Sequence, residues 1–144
     1  MPDAAPNGTD LRVARTLRSV GVDYELLPDG TYLVHAAVPS GENRPVFVNS
    51  RTHWLGRLEF RLLVTCATNH PKPLPPWLAE SLLAANALST FEKWELLDAG
   101  ESWAVLLTKW VPADAGAVEF LTTANSLAEA ADLSGAVAPT GDGL

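Results

Sequence analysis

The chain has 144 residues, 47% hydrophobic and 19% charged, a balance that suits one folded domain and excludes a wholly disordered protein. Its net charge of −7 disfavours nonspecific binding to DNA or to an anionic membrane. The single Cys66 excludes an intrachain disulfide, and no window reaches the ~20 uninterrupted apolar residues of a membrane span. We therefore expect an acidic cytoplasmic protein with one domain over residues 9–134 and flexible tails at 1–8 and 135–144.

The first part of the chain predicts one helix and then a series of short strands. Thr9 or Asp10 can cap the helix and Gly21 can end it, because these residue types favour the two ends of helices. Clusters of Pro, Asp, Ser, Asn and Gly predict turns between the extended segments that follow. The predicted elements are a helix at Leu11–Val20 and strands at Tyr24–Leu27, Thr31–Val38 and Pro45–Asn49.

The clearest alternation of apolar and polar residues runs from Gly56 to Thr68 and predicts a half-buried antiparallel strand. We assign the apolar positions to the buried face and the polar positions to a face that meets water or a partner. The predicted buried positions are Leu58, Phe60, Leu62, Val64 and Cys66, and the opposite positions are Arg57, Glu59, Arg61 and Thr65.

The stretch from Pro75 to Leu88 predicts a helix that begins at prolines and has apolar groups on nearly two faces. An ordinary surface helix needs one apolar stripe, so this helix is either sandwiched in a core or in contact with another chain. We predict that this other chain is a second copy of the protein, which gives a homodimer. Asn86 then needs hydrogen-bond partners, which neighbouring backbone or the second copy would supply. The predicted dimer interface consists of Trp77, Leu78, Leu82, Ala85 and Asn86.

Two further strands and an amphipathic helix complete the predicted fold, at Glu92–Asp98, Glu101–Trp110 and Gly116–Leu133. Hairpin-length connections between strands favour antiparallel pairing with the helices gathered on one face of the sheet. The four extended segments before the middle helix count as three or four strands. The sequence thus predicts an α+β fold, an antiparallel sheet of about five strands with three helices in the order α-β-β-β-α-β-β-α.

The sequence contains no nucleophile elbow, no phosphate-binding loop and no dinucleotide fingerprint. His35, His53 and His70 stand apart from one another and from Cys66, which disfavours a metal site. We expect no catalytic residue, no cofactor and no metal. An enzyme whose site is assembled from distant residues is a third hypothesis, after the two binding functions given below.

The order of elements and several short stretches resemble the YbjN-like group of the type III secretion chaperone fold. The stretches are Gly21-Val22-Asp23-Tyr24, Leu82–Leu88 followed by Phe91, and Ala130-Ala131-Asp132. This resemblance implies a small acidic protein, commonly dimeric through its middle helix, that binds segments of other proteins and has no catalytic residues. The long Pro-rich connector at 69–76 and the Trp-rich strands depart from the group's pattern.

The expected function is therefore non-enzymatic: a chaperone-like or adaptor module that holds a segment of a client protein. An acidic surface favours a basic client, such as a protein that binds single-stranded nucleic acid. We expect that this chain itself binds neither nucleic acid nor membrane directly. The residues predicted to bind the client are Trp54, Arg57, Arg61 and Trp110. The alternative function is a regulator or sensor that binds a small molecule in an apolar pocket between helices and sheet.

Overall fold

In a computed structural model, which describes residues 8–89 and 92–137, three helices accompany one six-stranded antiparallel sheet. The elements are α1 (Leu11–Ser19), β1 (Glu25–Leu26), β2 (Tyr32–Ala37), β3 (Asn43–Leu55), β4 (Leu58–Pro71), α2 (Pro76–Leu88), β5 (Glu92–Asp98), β6 (Ser102–Pro112) and α3 (Ala117–Val137). The strand order across the sheet is β1-β2-β3-β4-β6-β5, so β5 is an edge strand. The α+β class is confirmed, with six strands where about five were predicted. The predicted tails lie largely outside the described residues.

Strands β3 and β4 are longer than predicted and form one extended hairpin. Strand β3 continues beyond its predicted end at Asn49 as far as Leu55, and β4 runs into the Pro-rich connector as far as Pro71. Gly56 and Arg57 make the tight turn, which Gly56 allows because its φ of +63° is in the left-handed region. The pairing shifts register between Val48 and Thr52, an irregularity that the residue pattern does not reveal.

Helices α1 and α3 cover one face of the sheet and form the core with it. Helix α3 contacts β2, β3, β4 and β6, and α1 packs beside it. The amphipathic character predicted for α3 is confirmed, because Phe120, Leu127 and Ala131 are buried while Glu119 and Glu129 are exposed. In α1, Val13 and Leu17 are buried, but Val20 is 39% exposed because the helix ends before it.

The prediction of which face of β4 is buried is wrong. Arg61, Leu63 and Thr65 lie in the core with exposed fractions of 2%, 0% and 0%, whereas Leu62 and Val64 are half-buried on the opposite face. The run Leu62-Leu63-Val64 supplies apolar groups to both faces, so the alternation fixes the period of two but not its phase. The buried face is the one that α1 and α3 cover.

Candidate interaction surfaces

Every residue of α2 is described and none is buried, although most are apolar. Its outward side carries Leu83, Ala84, Ala87 and Leu88, which fall together because residues three and four apart share a helix face. Leu83 is 70% and Leu88 87% exposed. The described chain therefore does not sandwich this helix in its own core, and one apolar side stays uncovered.

The residues predicted to form a dimer interface are half-buried, and most lie on the opposite side of α2. Leu78, Leu82, Ala85 and Asn86 share that side by helical spacing, and Trp77 stands at the first turn. Since α2 packs along β5, this side faces the protein's own sheet. The structure uses these residues within the chain.

Of the two hydrogen-bond partners predicted for Asn86, neighbouring backbone or a second copy, the structure shows neighbouring backbone. Its side-chain oxygen accepts from the N–H of Trp94 at 2.6 Å, and its amide nitrogen donates to the C=O of Trp94 at 3.0 Å. The carboxamide thus occupies the outer edge of β5, where a further strand would pair. Lys93 Nζ also donates to the carbonyls of Asn86 and Ser89, at 2.8 and 2.7 Å, which satisfies the last turn of α2.

The end of the molecule formed by α2 and β5 is acidic. Residues 73–144 contain 2 basic and 10 acidic residues, whereas residues 1–72 contain 8 and 7. Both lysines of the acidic half are engaged, Lys93 with α2 and Lys109 with Glu92 at 4.0 Å, and Lys72 of the other half pairs with Asp98 of β5 at 2.5 Å. We define the α2–β5 surface as the exposed leucine and acidic side chains of α2, of one side of β5, which Glu95 and Leu97 share, and of the turn after β5: Glu80, Leu83, Leu88, Glu95, Leu97 and Glu101.

The residues predicted to bind a client do not form one surface. Trp54, 65% exposed, and Arg57 lie at the tip of the β3–β4 hairpin. Trp110 is 45% exposed on β6, where its ring meets the ring of His53 edge-on at 5.1 Å. Arg61 is 2% exposed on the core side and is not accessible to a partner.

Arg61 instead anchors the start of α1 to the β3–β4 hairpin. Its guanidinium donates to the carboxylate of Asp10 at 2.5 Å and to the carbonyls of Asn49 and Ser50 at 2.7 and 3.0 Å. Burial disfavours ionisation of Asp10, but hydrogen bonds from Arg12 and Arg61 outweigh it, so the pKa of Asp10 lies well below its usual range. The ion pair is therefore fully charged at neutral pH.

Glu59 extends this cluster towards solvent. Arg12 bridges the carboxylates of Asp10 and Glu59 at 2.8 and 2.9 Å. Hydrogen bonds from Arg12 and Thr52 lower the pKa of Glu59 to about 2. The charges of the cluster are satisfied by one another, which is the arrangement of a structural ion-pair network.

The face of the sheet opposite α1 and α3 forms a second apolar surface. Cross-strand register places Phe47 between Leu33 and Val64, and places Leu62 beside Trp110. We define the open face as the apolar side chains of this side: Leu33, Phe47, Leu55, Leu58, Phe60, Leu62, Val64, Cys66, Leu106 and Trp110. The open face was not predicted because the apolar residues of β4 were expected in the core. The signal was the run Leu62-Leu63-Val64, which has more apolar residues than one face can take.

An open pocket of about 160 Å³ beside the β2–β3 hairpin is lined by Glu42, Arg44 and Asp132 among others, so this pocket is polar. No group of three or more His, Cys, Asp and Glu among the described residues could hold a metal ion. Burial raises the pKa of the Cys66 thiol, the opposite of what activates a nucleophile. None of the described helices is long and apolar enough to cross a membrane.

A comparison with protein-family models gives no match for this chain, and a comparison with curated proteins gives none either. The resemblance to the YbjN-like group therefore stays a prediction. The surfaces themselves carry the functional argument.

Proposed function

We propose that this chain is a non-enzymatic, chaperone-like or adaptor protein that holds a basic, partly apolar client segment on the α2–β5 surface. The observation that carries this proposal is that α2 leaves Leu83 and Leu88 uncovered. Contiguous apolar groups rimmed by polar ones are typical of interaction sites, because leaving them in water costs free energy that a partner recovers.

The charge of this surface selects the client. Glu80, Glu95 and Glu101 are exposed beside the leucines, and the two lysines of residues 73–144 are engaged in contacts of their own. An acidic apolar surface attracts Lys- and Arg-bearing segments and repels acidic ones. A basic amphipathic helix, whose apolar side lies on α2 while its charged side meets the acids, has the matching chemistry. Proteins that bind nucleic acid carry such segments, which makes them the client class that charge favours.

A pair of synthetic peptides tests the proposal. Both have the same leucines at helical spacing, and one has Lys where its twin has Glu. We expect the Lys peptide to bind, by isothermal titration calorimetry, at least about 10-fold more tightly than its twin, because opposite charge favours docking. Leu83→Ser and Leu88→Ser should each weaken binding about 10-fold, since each removes one apolar anchor.

Val118→Ser is the matched control, because Val118 is 78% exposed on α3, away from the α2–β5 surface. It should leave the affinity unchanged. Equal binding of both peptides, or binding that the α2 variants do not alter, would contradict the proposal.

A further inference from the structure

We propose that the open face is the contact between two copies of this chain, which pack sheet against sheet about a two-fold axis. This contact differs from the client surface, and it replaces the predicted dimer through α2, whose inner side is occupied by β5. Sheets that pack face to face lie about 10 Å apart with their inner side chains interdigitated.

The apolar groups of the open face are continuous along the β3–β4 hairpin. Leu58 faces Leu55 across the hairpin, Phe60 faces His53, and Val64 faces Phe47. Leu62 continues the row onto β6 through Trp110. At the end of this row, Leu55 is 72% and Leu58 60% exposed, so little of either side chain is covered by the described chain. The open face thus resembles one sheet of a two-sheet sandwich whose second sheet is absent.

The area of this face suits a stable dimer, and that of α2 does not. Four strands about 4.8 Å apart, crossed by nine residues of β4 at about 3.3 Å each, give roughly 550 Å² of flat area before side-chain relief is counted. A stable interface needs about 800 Å² per partner, which the relief of Phe and Trp side chains brings within reach. One side of a 13-residue helix, about 20 Å long and 10 Å wide, offers only about 200 Å².

Charge decides between a second copy and a client at each surface. In a two-fold contact the same patch meets itself, so a patch of one sign would repel its copy. The paired positions of the open face on β2, β3, β4 and β6 carry no Asp, Glu, Lys or Arg in the part of the sheet described. Charges of both signs adjoin it, Arg51 in the irregular stretch of β3, and Glu25 and Glu95 on the outer strands. The α2–β5 surface, by contrast, would set its own acids against one another.

Sedimentation velocity of the full chain tests this contact. We expect the wild type to sediment at micromolar concentration as a dimer of twice 15.4 kDa. Leu62→Glu and Leu58→Glu should each weaken dimerisation at least about 100-fold, because the two-fold axis buries the new carboxylate twice. Circular dichroism should stay that of the wild type, since both side chains lie outside the core. Leu83→Glu, the matched change on α2, should leave the dimer intact.

Cys66 gives a second measurement that needs no variant. It lies on the open face, so its reaction with a thiol reagent should slow as protein concentration rises through the dissociation constant. A wild type that stays monomeric to about 100 μM, a range in which specific dimers form, would overturn the proposal. So would dissociation by Leu83→Glu but not by Leu62→Glu, or peptide or lipid-vesicle binding to the open face of a monomer. Loss of peptide binding at α2 with an intact dimer would overturn only the proposed function.

Discussion

At the scale of single residues, Asp10 both caps a helix and supplies a counter-charge, and one substitution can separate these two roles. Its carboxylate accepts from the backbone N–H of Arg12 at 3.0 Å as the N-cap of α1, and it is the counter-ion of Arg61. Asn caps a helix as well as Asp does, so Asp10→Asn keeps the cap and removes the charge. We expect a loss of about 3 kcal/mol in the free energy of unfolding, measured with urea, because the 2%-exposed Arg61 loses its counter-ion and Arg12 keeps only Glu59.

Glu129→Gln provides the control, since it makes the same change of charge at an exposed position of α3. It should alter the free energy of unfolding by less than about 0.5 kcal/mol, as surface substitutions usually do. Equal effects of the two variants would mean that the Asp10–Arg61 pair adds nothing beyond its charge.

Among the helices and strands, α2 is attached to the sheet by polar contacts from its last turn. Asn86→Ala removes both hydrogen bonds to Trp94 and leaves the edge of β5 open at that residue. We expect the Trp94 amide to exchange its hydrogen faster, while the amide of Leu63 in the central strand keeps its protection. The global cost should be about 1–2 kcal/mol, the usual contribution of such bonds. Two-dimensional NMR after transfer to D₂O measures both amides.

Asn125→Ala, at an exposed position of α3, is the corresponding control and should leave exchange at Trp94 as it is. If the Trp94 amide stays protected in Asn86→Ala, apolar contacts and not the carboxamide hold α2 on β5.

The elements that could be predicted from sequence are those whose signals are local. The N-cap of α1, for which Asp10 was one of two candidates, the 3.6-residue period of α3 and the turn between β1 and β2, where Gly30 has φ +89°, each depend on neighbours in the chain, and the sequence predicted each of them. The buried face of β4 depends on where α1 and α3 pack, and this is not encoded within β4. From the sequence, Arg61 is expected at the surface, because its distant partner, Asp10, is known only from the fold. The open face was missed for the same reason.

For the whole molecule, the two proposed partners differ in the charge of the surface that each would meet. The neutral open face and the acidic α2–β5 surface are both apolar, so hydrophobicity alone does not distinguish a second copy from a client. The sequence revealed the asymmetry of charge between its halves, 8 basic and 7 acidic residues against 2 and 10. Only the fold shows that the acidic half supplies α2 and β5 together, while the open face takes its side chains mainly from the other half.

The response of the whole fold to acid follows from the Asp10 and Glu59 carboxyl groups. Hydrogen bonds hold the folded-state pKa of Asp10 well below its usual value and that of Glu59 at about 2. Both groups bind protons more readily in the unfolded chain, so they stabilise the fold above their unfolded pKa values near 4, and this stability is lost as the pH falls from about 5 towards 2. Urea unfolding at pH 7, 5, 4 and 3 should therefore give a midpoint that declines below about pH 5. Asp10→Asn should start lower at pH 7 and decline less, so its midpoint should lie closer to that of the wild type at pH 3 than at pH 7, because one of the two titrating groups is gone. Parallel curves for the two proteins would show that other carboxyl groups control acid stability.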